Sequence, residues 1–274
     1  MKLLCTFIFM LLFLNVAYSQ QDTIVTNNEK IICSIKEITV DAVRFSYPGE
    51  DLINTIYKNT IEKISFKSGR VQKFAEATSF KAINGPEDFD NVSIAKVESE
   101  VQGLYKLANV SAKAKGTTTL SNIERVKERA YRKLKMEAAM NGANVVFLTQ
   151  QGTQGNQFGT DYQAGNTTET NLDGVAYANK IPKFEEFNTR VKGNSQYTII
   201  SRLKMWSGGT DMVTDEFSGV LTINGITNEG GLIIIDGSIP KIKVNKFRVA
   251  FFSQSNFVLV YEDKSTIYNV VVSL

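Results

Sequence analysis

Apolar residues along this chain recur at two spacings: every second position over most of its length, and every third or fourth position in one stretch. Two-residue alternation in runs rich in β-branched and aromatic residues predicts strands. Over 20–80 such runs occupy 22–25, 30–38, 40–47, 53–66 and 70–74, separated by turn formers such as Asn27-Asn28, Pro48-Gly49 and Ser68-Gly69. They predict a small β-barrel or curled sheet. Further strands are expected over 92–101, 104–112, 143–148 and 174–178. A last set over 197–206, 219–226, 231–235, 242–252, 257–261 and 266–273 is broken by Ser207-Gly208-Gly209, Glu229-Gly230-Gly231, Asp236-Gly237 and Glu262-Asp263-Lys264. This set predicts an antiparallel sandwich or open barrel. Its segment Val258-Leu259-Val260-Tyr261 is apolar on both faces, as a central covered strand requires.

The other spacing marks a helix near 122–141. Ile123, Val126, Ala130, Leu134 and Ala138 form one apolar stripe, which should cover a sheet. Ser121 with Glu124 reads as a capping box, and Asn141-Gly142 as the stop. Arg125, Lys127, Arg129, Arg132, Lys133 and Lys135 make the helix basic, yet Glu124, Glu128 and Glu137 interrupt the run, and Glu128 with Arg132 is a favourable i,i+4 pair. A solvated face is the expectation. An anionic glycan, a lipid headgroup or an acidic partner is the competing use of it.

The intervening stretches set the expected organisation. Turn formers and acids at 81–91, and the charged residues around Pro182-Lys183-Phe184-Glu185-Glu186 within 181–195, read as linkers. The Gln-, Gly-, Asn- and Thr-rich segment 150–173 reads as a mobile hairpin loop, because it offers little apolar surface to offset its ordering entropy. The expected units are therefore a small β-rich domain (20–80), an α+β domain (92–180) and an antiparallel β domain (196–274). The fold class is α+β, dominated by β-structure.

Composition adds an address. Met1-Lys2, an apolar run from Leu3 to Val16 and small residues at Ala17 and Ser19 read as a secretory signal peptide over 1–19, so a periplasmic or secreted location is expected. The formal charge of +3 becomes 3 − 1 = +2 once Lys2 leaves, too little to argue for a nucleic-acid partner. No later apolar run reaches transmembrane length. Of the two cysteines, Cys5 leaves with the signal, and alternation places Cys33 on one strand face with Ile31 and Ile35 as a buried, inert thiol. With 0 histidines the chain cannot supply Ser-His-Asp or Cys-His catalysis.

The remaining candidate chemistry is sparse. Asp88 and Asp90 open like a calcium loop, but the central glycine and closing glutamate of an EF-hand are missing. Gly152, Gly155, Gly159 and Gly165 lack the GxxxxGK[ST] pattern of a phosphate cradle. Trp206 beside Ser207-Gly208-Gly209 offers a sugar-stacking surface or a plug at the edge of a core. Asp211, Asp215 and Glu216 are candidates for a glycosidase pair, whose orientation sequence does not provide. No catalytic, cofactor-binding or metal-ligating residue is assigned, and no cofactor is expected.

Lys133-Leu134, Glu137-Ala138-Ala139, Gly142-Ala143-Asn144-Val145-Val146 and Gly174-Val175-Ala176-Tyr177 resemble the helix, strand, loop and strand signature of the YbjQ-like family and of the RcsF envelope-stress lipoproteins. The likeness spans 92–180 and implies a compact α+β domain with a binding or sensing role. The lipoprotein and disulfide cysteines of the stress sensors are absent, so no functional residue carries over. The N-terminal strands resemble, more loosely, an Sm- or SH3-like module of secreted Gram-negative proteins. The expectation is a non-enzymatic exported envelope protein with a binding, sensing or structural role, whose partner is an envelope protein or glycan, with homo-oligomerisation left open. The alternative is a carboxylate-dependent hydrolase of extracellular glycan.

Overall fold

The computed structural model describes residues 21–26, 29–74, 80–118, 120–159 and 165–274. The expected signal peptide and the Asn27-Asn28 turn lie outside them. The chain divides into two compact units, Met1–Ala75 and Glu76–Leu274. Strands dominate both, and the fold class is β-rich α+β.

In the first unit, β1 (Asp22–Thr26), β2 (Lys30–Ile38), β3 (Ala42–Ser46), β4 (Asn54–Tyr57), β5 (Ile61–Ser65) and β6 (Val71–Lys73) form one sheet in the order β4-β3-β2-β1-β5-β6. The run at 53–66 is two strands, parted by a 3₁₀ turn at Lys58–Thr60. That turn reaches at most about 14 Å, whereas in a flat sheet β4 and β5 would lie about 19 Å apart. The sheet must therefore curl. Its concave side buries Ile24, Ile31, Cys33, Val43, Phe45, Ile61 and Ile64.

The second unit contains a four-stranded sheet and a barrel. β7 (Ser93–Ala95), β8 (Tyr105–Lys115), β9 (Val145–Gln154) and β10 (Glu169–Ala178) lie in the order β7-β9-β10-β8, with β7 parallel to β9 and the other pairs antiparallel. The expected strand at 92–101 is only β7, because the chain turns into a 3₁₀ helix at Glu98–Glu100. The expected mobile loop is also shorter. β9 and β10 remain paired out to Gln154 and Glu169, and Gln157 bridges to Asn166 beyond them. Polar side chains hold this extension by pairing with one another. Thr153 and Thr170 meet at 3.2 Å, and the Asn156 carboxamide accepts from Thr168 N (2.8 Å) while donating to the Ser121 carbonyl (2.9 Å).

β11 (Gln196–Trp206), β12 (Val213–Asp215), β13 (Gly219–Glu229), β14 (Leu232–Ser238), β15 (Lys246–Phe252), β16 (Asn256–Asp263) and β17 (Thr266–Ser273) run antiparallel. β17 returns to pair with β11, so the sheet closes. Closure leaves an interior filled by Tyr197, Ile199, Leu221, Ile233, Ile235, Phe247, Phe257, Leu259 and Tyr261. The stretch 181–195 contains a helix, α2 (Phe184–Val191), besides its charged residues. Its Phe187 is fully buried and meets the rings of Phe252 and Phe257 edge-on at 5.3 Å, closing one end of the barrel.

Helix α1 (Ile123–Met140) joins these two bodies. Its N-cap is Asn122, whose Oδ1 accepts from Arg125 N at 3.1 Å. Ser121, the expected cap, instead accepts from Thr118 N through its Oγ. Val126, Ala130, Leu134 and Ala138 pack on Val110, Ala112, Leu172 and Ala176 of the sheet, whereas Ile123 at the helix start is 42% exposed. A second apolar face is buried as well. Met136 and Met140, both 0% exposed, sit against Met205, Ala250, Val260 and Ile267 on the outer wall of the barrel. The helix ends at Gly142, whose φ of +76° is the left-handed conformation that glycine tolerates, and a Cβ there would stand 2.9 Å from the Ala250 carbonyl oxygen.

Two-sided burial makes a direct prediction. Leu134→Ala on the sheet side and Met140→Ala on the barrel side should each cost about 2–5 kcal/mol. Arg132→Ala, which removes an exposed ion pair, should cost less than ~1 kcal/mol. Urea melts of the three variants measure this, and a near-neutral Met140→Ala would show that the barrel contact contributes nothing.

Candidate functional site

Between the two apolar faces of α1 runs a polar seam. Arg129, Lys133, Glu137 and Asn141 follow one another at four-residue spacing and so share one side of the helix. That side faces the outer edge of β8. Gly116 N donates to Thr168 O at 2.7 Å, so by strand alternation Ala112 and Ala114 direct their backbone groups at β10, while Ser111, Lys113 and Lys115 direct theirs away from it. The helix meets each of these. Arg129 donates to Lys115 O (2.9 Å), Lys133 Nζ to Lys113 O (2.8 Å), and Glu137 Oε2 accepts from Ser111 N (3.4 Å). Helix side chains thus supply the partners that a further strand would.

The same seam reaches the barrel. Lys133 Nζ also donates to Ser207 O (3.2 Å), Arg248 donates to Asn141 Oδ1 (2.9 Å), and the buried Asn269 donates to the Met140 carbonyl (2.9 Å), closing the helix C-terminus. Lys133 is therefore not part of a solvated face; it is 7% exposed. Burial lowers its ammonium pKa against the opposing pull of Glu137, with Arg129 adding to the lowering. Burial also raises the Glu137 carboxyl from its ordinary 4.5 to about 7, opposed by the Ser111 hydrogen bond and Lys133 and reinforced by Glu262. Arg248 is lowered to about 10, again by burial, with Glu262 opposing. The four-residue spacing was visible in the sequence, but the partners at 207, 248 and 269 were not.

The carboxylates considered for hydrolysis do not converge. Asp211 pairs with Arg132 at 3.3 Å, replacing the expected Glu128–Arg132 pair, and Arg132 lies 5.0 Å over the Phe89 ring. Asp215 receives two bonds from Arg202 (3.1 and 2.7 Å) and one from Lys204 (3.0 Å). The Arg202 bonds are the main reason its carboxyl is held down at about 2, with Lys204 contributing and burial opposing. Arg202 in turn stands over Phe217 (4.2 Å) and Tyr268 (5.2 Å). A carboxylate so bound is poorly suited to exchange protons near neutrality. Glu216 is exposed.

The other candidates have structural settings. Burial raises the Cys33 thiol to about 11, with Asp22 adding to the rise, so the nucleophilic thiolate is scarce. Asp88 accepts from Asn84 N within the 3₁₀ helix Pro86–Asn91, and among the described residues no group of acidic, cysteine or histidine side chains is placed to hold a metal. Trp206 is 45% exposed and rests on Gly208 and Gly209. Gly152 lies in β9, and a Cβ built on Gly165 would crowd the Gln157 carbonyl oxygen.

What the outer side of α1 offers is an open groove of about 390 Å³ lined by Asp90, Glu124, Lys127, Glu128, Tyr131, Arg132 and Lys135. Lys135 Nζ reaches the Asp90 carbonyl at 3.4 Å, and the Tyr131 hydroxyl donates to Gln151 of β9 at 2.7 Å. Both charge signs and one aromatic ring line a surface open to solvent. Among the described residues no helix is long and apolar enough to cross a membrane.

The seam makes a pH prediction. Between pH ~4.5 and ~7 the folded chain retains a proton on Glu137 that the unfolded chain releases, so stability falls as pH rises through that window. Glu137→Gln should flatten this slope. Urea midpoints of both proteins at about pH 5 and pH 8 test it, and a slope unchanged in the variant contradicts it.

No protein-family model matches the chain, and no curated protein matches it. Among solved structures, a protein with unknown function from the DUF3598 family of Nostoc punctiforme is similar at 8% identity over 92% of this chain and 93% of that one, with a TM-score of 0.17, a likeness that carries no argument about fold or function.

Proposed function

We propose that this chain is a non-catalytic, exported component of a bacterial cell envelope that binds a polar polymer, an envelope glycan, along the outer face of α1. The observation that carries this reading is the contrast between the groove and the acids. The carboxylates nearest to hydrolytic chemistry are engaged by Arg132, Arg202 and Lys204, whereas the groove presents Tyr131, Lys127 and Glu128 to solvent. Shallow surfaces mixing an aromatic ring with hydrogen-bonding groups of both signs suit a hydroxylated chain better than an apolar ligand. Export rests on the Ala17-Tyr18-Ser19 pattern behind the apolar run, and kinship with the YbjQ-like family belongs to the same proposal.

Titration of the purified protein with soluble envelope-glycan fragments tests the reading. Binding without release of new reducing ends is expected, and Tyr131→Ala should weaken it about tenfold, equivalent to ~1.4 kcal/mol. Absence of binding contradicts the groove assignment. Glycan cleavage that disappears in Asp215→Asn would establish the hydrolase alternative instead. Export is checked separately by the intact mass of protein recovered from the native host, which should begin at Gln20.

A further inference from the structure

The two edges of the four-stranded sheet are treated in opposite ways. On the β8 side, α1 answers the outward backbone groups of Ser111, Lys113 and Lys115 with charged side chains. On the other side, β7 covers β9 only over Val145–Phe147, and beyond it no described strand pairs with 149–154. Alternation fixes which groups are open. Gln150, Gly152 and Gln154 lie opposite Asp173, Asn171 and Glu169 and direct their backbone groups at β10, so Gln151 and Thr153 direct theirs outward.

Edge strands of proteins that stay apart are usually blunted by charge, proline or a covering element. Among the described residues this edge has none of these. From Leu148 to Phe158 there is no charged residue and no proline, and 149–154 are exposed. The Tyr131 hydroxyl reaches the Gln151 side chain and not its backbone groups.

We infer that the open edge of β9 pairs antiparallel with β9 of a second copy of this chain, about a two-fold axis at Gly152, joining two four-stranded sheets into one of eight strands. The edge is its own complement in this register. Gln151 of each copy exchanges both backbone bonds with Thr153 of the other, and Gly152 meets Gly152 in the close, non-hydrogen-bonded pair, where the Cα atoms lie about 4.5 Å apart. Glycine at the tightest point leaves no side chains to collide. Gln150 and Gln154 then face each other as uncharged amides, with no like charges opposed along the strand. Each α1 packs on β8 and β10, so this pairing sets the two helices about 19 Å apart, four strand spacings. Each open groove becomes one wall of a valley floored by the paired β9 strands. The pairing is independent of what the groove binds.

Analytical ultracentrifugation of the full chain through the micromolar range tests the pairing, with Gly152→Lys as the disrupting variant. A Cβ at Gly152 meets nothing within 4 Å and its φ is not in the left-handed region, so lysine fits the single chain while placing like charges face to face in the pair. A wild-type mass of two chains and a variant mass of one are expected, with unchanged circular dichroism. The register has its own test. Gly152→Cys should cross-link to a dimer under mild oxidation, since its Cα separation suits a disulfide, whereas Gln150→Cys, which faces Gln154 of the second copy, should not. A wild-type chain that is monomeric at every concentration overturns the proposal and leaves the edge to an extended segment of another protein. A dimer that survives Gly152→Lys, or that cross-links equally through both cysteines, places the contact elsewhere and overturns it too.

Discussion

Everything in the larger unit depends on one helix being buried from two sides. The stripe of α1 that faces the sheet is made of Val126, Ala130, Leu134 and Ala138, mostly small residues that let the helix approach the strands closely. The stripe that faces the barrel ends in Met136 and Met140, whose unbranched side chains fill the irregular surface between Met205, Val260 and Ile267. Neither contact would suffice alone. A four-stranded sheet needs a cover for its apolar face, and the barrel has apolar residues on its outer wall that the helix hides together with Phe89 and Met212.

Burial on two sides creates a problem along the sides that remain, and the seam of Arg129, Lys133, Glu137 and Asn141 solves it. Unpaired edge groups of β8 would otherwise be trapped beside the helix, at a cost comparable to lost hydrogen bonds. Charged side chains reach them from the helix, and Lys133 and Glu137 each offset part of the other's desolvation. Lys133 serves one carbonyl on each body. The raised Glu137 carboxyl marks where burial is not fully offset: the Ser111 N–H and Lys133 oppose the rise, and Glu262 adds to it.

Alternation made most strands legible in the sequence, since a period of two is a local property that needs no knowledge of the partner. The sheet-facing stripe of α1 was legible for the same reason. What was not legible depended on distant partners. Lys133 reads as solvated until Lys113 and Ser207 supply their carbonyls, and Asp215 reads as a free acid until Arg202 and Lys204 close on it. In 150–173 polar composition concealed the continued pairing of β9 with β10, because Thr153, Asn156, Thr168 and Thr170 satisfy one another. Within 181–195, Phe184, Phe187 and Val191 did carry a helical spacing, but it was hidden among charges.

The central claim, that α1 makes sheet and barrel one cooperative body, is tested most directly by native-state hydrogen exchange. Amides of α1, of β10 in the sheet and of β16 and β17 in the barrel should reach the same limiting free energy of opening and show the same dependence on low denaturant. Barrel amides that stay protected while α1 and β10 exchange through a separate, less stable opening would contradict the account.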